Sequence, residues 1–565
     1  MAYQLFQLPR QLNISSNLTL LSAAKAYFYV PGTTTPRDTY SDPELATPHT
    51  NPVVADAAGV FAPIYLNPTL EYKVTLKTSA DVELYSTNKA SDQFLSAAVI
   101  GSVLWPRTAA EIAAGVTPTS YAYPPLNVQR YGTTWDAIQT AINVANAASG
   151  GCVYLPAGQY TKASASTINM RSNVRITGDG YKSEIFVPNG ANWSDNVLKF
   201  ESITKASADN IRINGNRAST GGGTRYGFYF GGADQCSLTN VYVHACEGDG
   251  IHAYDSDGCV ITGCQSFDNL YHGIELEQTR DSVASSNNCY SNLRHGIYVF
   301  EGEVGATGSK GLIVSANACH DNTQYGIAVQ GPLTEDITVH GNSVRNNGEY
   351  GITIFDQVKG AVVSGNIVAY NGYTGIYLFR IKRAIVLGNQ LRNNSQDTHG
   401  GYQEIHLDSQ VADTLTRSQF NVIAGNVINI DGATKSAYGI KENSTSDGPN
   451  IVQGNSCPVS GSSGTISVLH ETGANNSFLL CKNNYGRIDL NRGTATFDGD
   501  GAETEFLIPH ELSPDEPRGV SVTAGSPDAS GARSVASDAT NIIVTFTVAP
   551  IAGTGNVILR WSATT

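Results

Sequence analysis

Charge is scarce in this chain. Asp, Glu, Lys and Arg make up 15% of it, against roughly 25% in an ordinary globular protein, so polarity falls to Asn, Ser, Thr and Gly. Bases are the rarer sign: 35 Lys and Arg against 49 Asp and Glu leave a net charge of −14 and a pI near 5.2. Nucleic acid is therefore not an expected partner, because phosphate recognition needs a basic footprint. No run approaches the ~18 apolar residues that mark a bilayer-crossing helix, so no membrane insertion is expected. The opening MAYQLFQLPRQLNISSNLTLLSAAKAYF lacks a basic start ahead of an apolar run, so no signal peptide is expected either. Methionine occurs only twice, and nine cysteines form an odd set without CxxC spacing. That argues against zinc sites and disulfide frameworks. The cysteines read as small core hydrophobes, and no metal or other cofactor is expected.

Glycine is abundant, at 57 of 565 residues, and it falls in a pattern. A tetrad of Gly, Ile (once Phe), any residue and usually an apolar one recurs at Gly227, Gly250, Gly273, Gly296, Gly326, Gly351 and Gly375, in steps of 23, 23, 23, 30, 25 and 24 residues. Weaker copies follow at Glu404 and Gly439. An Asn stands four residues before five of these glycines: Asn269, Asn292, Asn322, Asn347 and Asn371. A second apolar segment in each unit ends near another Asn, as at Asn342, Asn366 and Asn389. Units of about 23 residues with two or three short strands are too thin to bury a core alone, so they must stack. Leucine-rich repeats share the period, but their leucine triplet is missing. A parallel β-helix fits, with Asn or Gly supplying left-handed backbone at the bends. Asn317, Asn342, Asn366 and Asn389 read as a buried ladder whose amides bond from rung to rung, rather than as sugar ligands.

The ends differ. Residues 1–122 carry Pro- and Thr-rich turns and strand-like IYLN, YKVTLKT and VELYS, a small β-rich domain with a connector. A short helix is expected at about 107–115. TTWDAIQTAINVANAA predicts an amphipathic helix over about 133–148 that caps the open end of a solenoid spanning 123–489. From 490 to 565, alternating segments such as TEFLIPH and NIIVTFTVA predict an antiparallel β-sandwich.

The order of parts resembles bacteriophage tailspikes of the pectate-lyase-like right-handed parallel β-helix superfamily. AKAYFYVPGTTTPRDTYSDPELATPHTNPVVADAAGVFAPIYL looks like a virion-proximal head domain. NVQRYGTTWDAIQTAINVANAASGGCVYLPAGQY looks like the opening of the superfamily's helix, although GTTWDA replaces its usual GDGxTDD. The resemblance implies a homotrimer on the phage tail or baseplate, attached through its N-terminal domain. It also implies binding, and usually cleavage, of a bacterial capsular or O-antigen polysaccharide at the host surface.

Stacked rungs permit reading by file. Side chains alternate along a strand, so if the Ile after Gly points inward, the second and fourth residues after Gly point outward. The second file includes Tyr229, His252, Glu275, Tyr298, Tyr377 and His406. The fourth includes Tyr254, Glu277, Phe300, Phe355, Phe379 and Asp408, and the bend adds Glu301, Asp356 and Arg380. Rings mixed with acids suit a sugar groove, since rings stack on pyranose faces while carboxylates bind hydroxyls. Neighbouring subunits are the alternative covering for Phe300, Phe355 and Phe379, but interface cores are usually depleted of charge. Glycoside hydrolysis needs two carboxyl groups flanking the scissile bond, and Glu275, Glu277, Glu301 and Asp356 are the candidates. Tyr254, His272, His295, Tyr298, Phe300, Phe355, Tyr377, Phe379, Arg380 and Asp408 are the expected sugar contacts, with the two histidines at the groove edge or in turns. The rival readings are a polysaccharide lyase, which an acidic groove disfavours for an acidic chain, and a non-catalytic adhesin.

Overall fold

The computed structural model describes residues 5–6, 21–67, 69–90, 104–161, 167–191, 195–220, 225–302, 307–409, 418–432, 434, 436–442, 450–457, 469–471, 478–482, 490–510, 512, 517, 519–538 and 540–564. The chain divides into two compact units, Met1–Pro106 and Arg107–Thr565. In the first, a four-stranded antiparallel sheet orders Val53–Val54, Lys25–Tyr29, Tyr72–Lys77 and Glu83–Ala90. It encloses a small core around Phe28, Tyr72 and Leu76.

The second unit is dominated by three long parallel sheets of 13, 11 and 12 strands. Along most of their length each coil contributes one strand to each sheet, as Val260–Thr262 to the first, Gln265–Phe267 to the second and Ile274–Glu277 to the third. Left-handed residues turn the corners: Gly263 at φ 66°, Asp268 at 55° and Gln278 at 53°. The result is a parallel β-helix with one continuous core from Val128 to Cys457. Ile251, Ile274, Ile297, Ile327, Ile352 and Ile376 stand in exact register in the third sheet and are fully buried.

The glycine before each of these isoleucines has a reason other than conformational freedom. A Cβ on Gly273 would lie 2.6 Å from the Gly296 carbonyl oxygen and 2.9 Å from Asn292 Nδ2. The close approach makes room for the asparagine ladders. The amide of Asn317 donates to Asn342 at 3.0 Å, Asn342 to Asn366 at 3.0 Å, and Asn366 to Asn389 at 2.9 Å. A parallel ladder runs from Asn269 through Asn394 and ends on the buried carboxyl of Glu404. These bonds satisfy amides that have no water to turn to.

The cap is a helix at Trp135–Ala147, which lays Ile138, Ala141, Ile142 and Ala145 on the first coils. A shorter helix, Ala109–Ala113, begins with a Thr108–Glu111 capping box. Its Glu111 meets Arg130 at 2.6 Å with both side chains fully buried, so residues from 107 onward pack with the solenoid unit. Seven described cysteines are buried; Cys152 is exposed, because the first strand turns that position outward. Beyond residue 490, two three-stranded antiparallel sheets share a core that includes Phe506, Val544 and Leu559. No helix among the described residues is long and apolar enough to cross a membrane.

Candidate active site

The register of the third sheet brings the outward files together as read from the repeat. His252 pairs with Glu275, Glu275 with Tyr298, Tyr254 with Glu277, and Glu277 with Phe300. Further along, Phe355 pairs with Phe379, Phe379 with Asp408, and Tyr377 with His406.

Chemistry concentrates on two adjacent coils. His252 Nδ1 lies 2.9 Å from Asp249 Oδ2 and 3.1 Å from Glu275 Oε2, while its Nε2 lies 3.4 Å from Glu277 Oε2. The ring is clamped against Tyr226 (4.4 Å between centroids) and Tyr229 (5.7 Å). Burial opposes protonation of His252, but the hydrogen bonds it donates to Asp249, Glu275 and Glu277 outweigh it and hold the imidazole well above its ordinary pKa. Burial and then the Asp249 charge push the Glu275 carboxyl up, only partly offset by His252. A protonatable acid and a second carboxylate thus flank one cation.

Two of these residues escaped the sequence reading. Asp249 precedes Gly250, at the bend before the strand, and its Oδ1 accepts the His272 backbone N–H at 2.8 Å. His252 stood in the second outward file, but nothing in its spacing marked it as the centre of three carboxylates. A signal existed for Asp249: it shares the position before glycine with His272 and His295. Those two are buried turn residues, each accepting a backbone N–H from the next coil through Nδ1. Burial, with the nearby Arg294 charge, pulls His272 down to about 4, and burial with His272 and Arg294 lowers His295 well below its ordinary value.

Tyr298 sits beside Glu275, tilted against His272 (4.8 Å) and stacked on Phe300 (5.4 Å). Its hydroxyl donates to Gln330, whose amide donates to Asp356 at 2.8 Å. Asp356 is also ion-paired with Arg380, and Arg380 lies over Phe379. The two groups expected as a catalytic acid and a sugar contact therefore engage each other, and through Gln330 they position Tyr298. Glu301 is turned away too. Its Oε2 accepts the Leu333 N–H at 2.8 Å, and a Cβ on Gly331 (φ 109°) would lie 2.3 Å from its carboxyl carbon. Leu333 lies in the bend of the following coil, the 25-residue step from Gly326, and that bend claims this carboxylate.

A ring floor continues beyond the cluster. His295 stacks on Tyr325 at 4.3 Å, Tyr350 on Tyr377 at 4.8 Å, and Tyr377 on Phe379 at 5.9 Å. Phe355 meets Tyr325 edge-on. Tyr377 donates to Asp408 at 3.0 Å. Tyr254 is exposed at the mouth.

Two trios, Asp249–His272–Glu275 and His252–Glu275–Glu277, each bring three ligand-type atoms within 4.8 Å of one another. In the second, the carboxylates of Glu275 and Glu277 favour a proton on His252. In the first, His272 Nδ1 faces a backbone N–H, which leaves the ring proton on Nε2.

Three overlapping stretches, residues 191–357, 226–391 and 308–482, match the family described as right handed beta helix region. They span just over half of the chain, which therefore belongs to the right-handed β-helix family. Among curated proteins, mannuronan C5-epimerase AlgE2 of Azotobacter vinelandii is 28% identical over 348 residues, 56% of this chain and 34% of the relative. AlgE5 of the same organism is 27% identical over 348 residues. The chain spans about a third of the length of these relatives. Among solved structures, the A-module of Azotobacter vinelandii mannuronan C-5 epimerase AlgE6 aligns with TM-score 0.55 and 21% identity, covering 63% of this chain and 99% of that one. The tailspike gp49 of Pseudomonas phage LKA1 aligns with TM-score 0.50 and 14% identity, covering 76% and 92%. These likenesses show a shared fold.

Proposed function

We propose that the chain is a phage tailspike that binds a bacterial capsular or O-antigen polysaccharide along its third sheet and hydrolyses internal glycosidic bonds. The observation that carries this reading is the convergence of Glu275 and Glu277 on His252 in an aromatic groove. Glu275, with its raised pKa, gives its proton to the leaving glycosidic oxygen. Glu277 faces the anomeric carbon, and water completes the cleavage, its hydroxyl ending on that carbon and its proton restoring the acid. Carboxylate oxygens within 4.8 Å of one another are nearer the ~5–5.5 Å of retaining enzymes than the ~6.5–9.5 Å of inverting ones. His252 keeps the carboxylates from repelling one another, and Tyr298 places a hydroxyl beside them. Virion attachment through the N-terminal unit, assembly as a homotrimer and a C-terminal sandwich module belong to the same proposal.

A second reading is favoured by the curated relatives, which are named as mannuronan C5-epimerases. In it, the same cluster takes and returns a proton at a uronate C5, or eliminates across the C4–C5 bond. One experiment separates the three outcomes. The protein is incubated with surface polysaccharides and with mannuronan in deuterated water. New reducing ends without unsaturation support hydrolysis, an unsaturated uronate chromophore supports elimination, and deuterium at C5 with intact chains supports epimerisation. Binding without any of these leaves an adhesin.

A further inference from the structure

A second wall borders the third sheet, along the bend that precedes each of its strands. Backbone bonds stack this bend into a file: the Gln324 N–H donates to Arg294, Glu349 to Gln324 at 2.9 Å, and Tyr373 to Glu349 at 2.7 Å. A Cβ on Gly372 would collide with the Gly348 carbonyl oxygen, so the bends sit tight on one another. Tyr373 therefore lies one rung, ~4.8 Å, from Glu349.

Four tyrosines gather at this point. Tyr350 meets Tyr325 and Tyr373 edge-on, each at 5.3 Å between centroids, and Tyr373 stacks on Tyr402 at 4.4 Å. Tyr350 also stacks on Tyr377, which joins the cluster to the ring floor of the groove. Glu349 is half-buried among them. Burial pushes its carboxyl up, with no neighbouring cation to offset it. Burial and then the Glu349 charge raise the Tyr325 hydroxyl in turn. Asp356 has Arg380 and Asp408 has Tyr377, but among the described residues no ion pair or side-chain hydrogen bond engages the Glu349 carboxylate.

We infer that Glu349 and the tyrosines around it form a recognition subsite for a protonated amino group on a sugar of the polysaccharide. A carboxylate withdrawn from water without a counterion is costly, and the faces of aromatic rings attract cations. Both features select the same sign of charge. The carboxylate oxygens accept N–H donors, which a quaternary ammonium lacks, and the rings carry the pyranose body. An anionic substituent would be repelled. The coil of Glu349 lies three rungs from that of Glu275, about 14 Å along the axis. The subsite is thus beyond the reacting bond but on the path of the same chain, and it selects substrate without taking part in cleavage. This inference rests on the proposed reading of the third sheet as a polysaccharide groove, and it names a chemical feature of the chain that the groove takes.

The test is calorimetry of the full chain with two probes, a glucosamine tetrasaccharide and its N-acetylated counterpart. Slightly below neutral pH sugar amines are charged, and ~0.15 M salt screens the attraction of the protein's overall negative charge. The wild type is expected to bind the amino probe at least about tenfold more tightly than the acetylated one. Glu349→Gln is expected to bring the two affinities within about twofold. Equal affinities in the wild type, or no binding of the amino probe, overturn the subsite; a preference that survives Glu349→Gln overturns its location. Should that variant fail to fold, Tyr402→Leu gives a second measurement: a reduced preference supports the subsite and an unchanged one overturns it. Release of reducing ends from surface polysaccharides is read separately, so hydrolysis can stand if the preference is absent, and the preference can stand without hydrolysis.

Discussion

His252 carries the charge balance of the groove. Three carboxylates converge on one imidazole that burial alone would leave neutral, so protonation and geometry depend on each other. A raised pKa means that the folded chain holds this proton more tightly than the unfolded chain does. Its stabilisation is complete below the ordinary histidine value of ~6.5 and is lost as pH rises through the folded value. Glu275 adds to the same limb, because its raised carboxyl must be protonated to act as an acid. Activity is therefore expected to fall on the alkaline side, at a pH above an ordinary carboxylate pKa, as measured by initial rate against pH. Glu275→Gln is expected to reduce cleavage by at least ~100-fold, the scale of general acid catalysis, while oligosaccharide binding by calorimetry stays within a few-fold of wild type. Full activity in that variant places the chemistry elsewhere. Asp356→Asn tests the positioning role: it is expected to lower kcat several-fold through Gln330 and Tyr298, and Tyr298→Phe is expected to share that loss rather than add to it.

At the scale of elements, the strands are held by side chains as much as by backbone. Replacing Asn342 with Ala removes the acceptor for the Asn317 backbone N–H (2.9 Å) and amide, and the donor to the Val314 carbonyl. Unsatisfied buried groups cost about 1–3 kcal/mol each, so a marked fall in the denaturant midpoint is expected. The outward Ser343→Ala is expected to leave that midpoint almost unchanged. The same elements bury neutral histidines. His244, His272 and His406 are each pulled down to about 4, chiefly by burial. Depressed values act opposite to His252: their stabilisation is complete above ~6.5 and is lost as pH falls toward the folded values, at up to ~1.4 kcal/mol per pH unit for each group. Thermal melts between pH 7 and pH 4 are expected to show that decline.

Across the whole molecule, a net charge of −14 and an acidic cluster meet whatever polymer the groove receives. Screening at ~0.15 M salt shortens electrostatic reach to about 8 Å. Added salt is therefore expected to tighten binding of an anionic polysaccharide and to leave a neutral one nearly unaffected, as read from KM at two ionic strengths. A fall in affinity for the anionic chain on adding salt would point to a basic subsite instead.

How much of this was legible in the chain follows from what a repeat encodes. Residues at equal phase in stacked coils must fall in one file, so the spacing of Gly250, Gly273 and Gly296 put Tyr254, Glu277 and Phe300 on one wall, and the matching phase of Asn342 and Asn366 in later coils put those two in a ladder inside it. Phase does not encode reach. Which carboxylates meet depended on bends and loops of unequal length: the turn before Gly250 swings Asp249 into the groove, the bend of the next coil draws Glu301 to Leu333, and Arg380 claims Asp356 from the next rung. Those contacts arise between coils through side-chain length and loop conformation, and only the folded stack decides them.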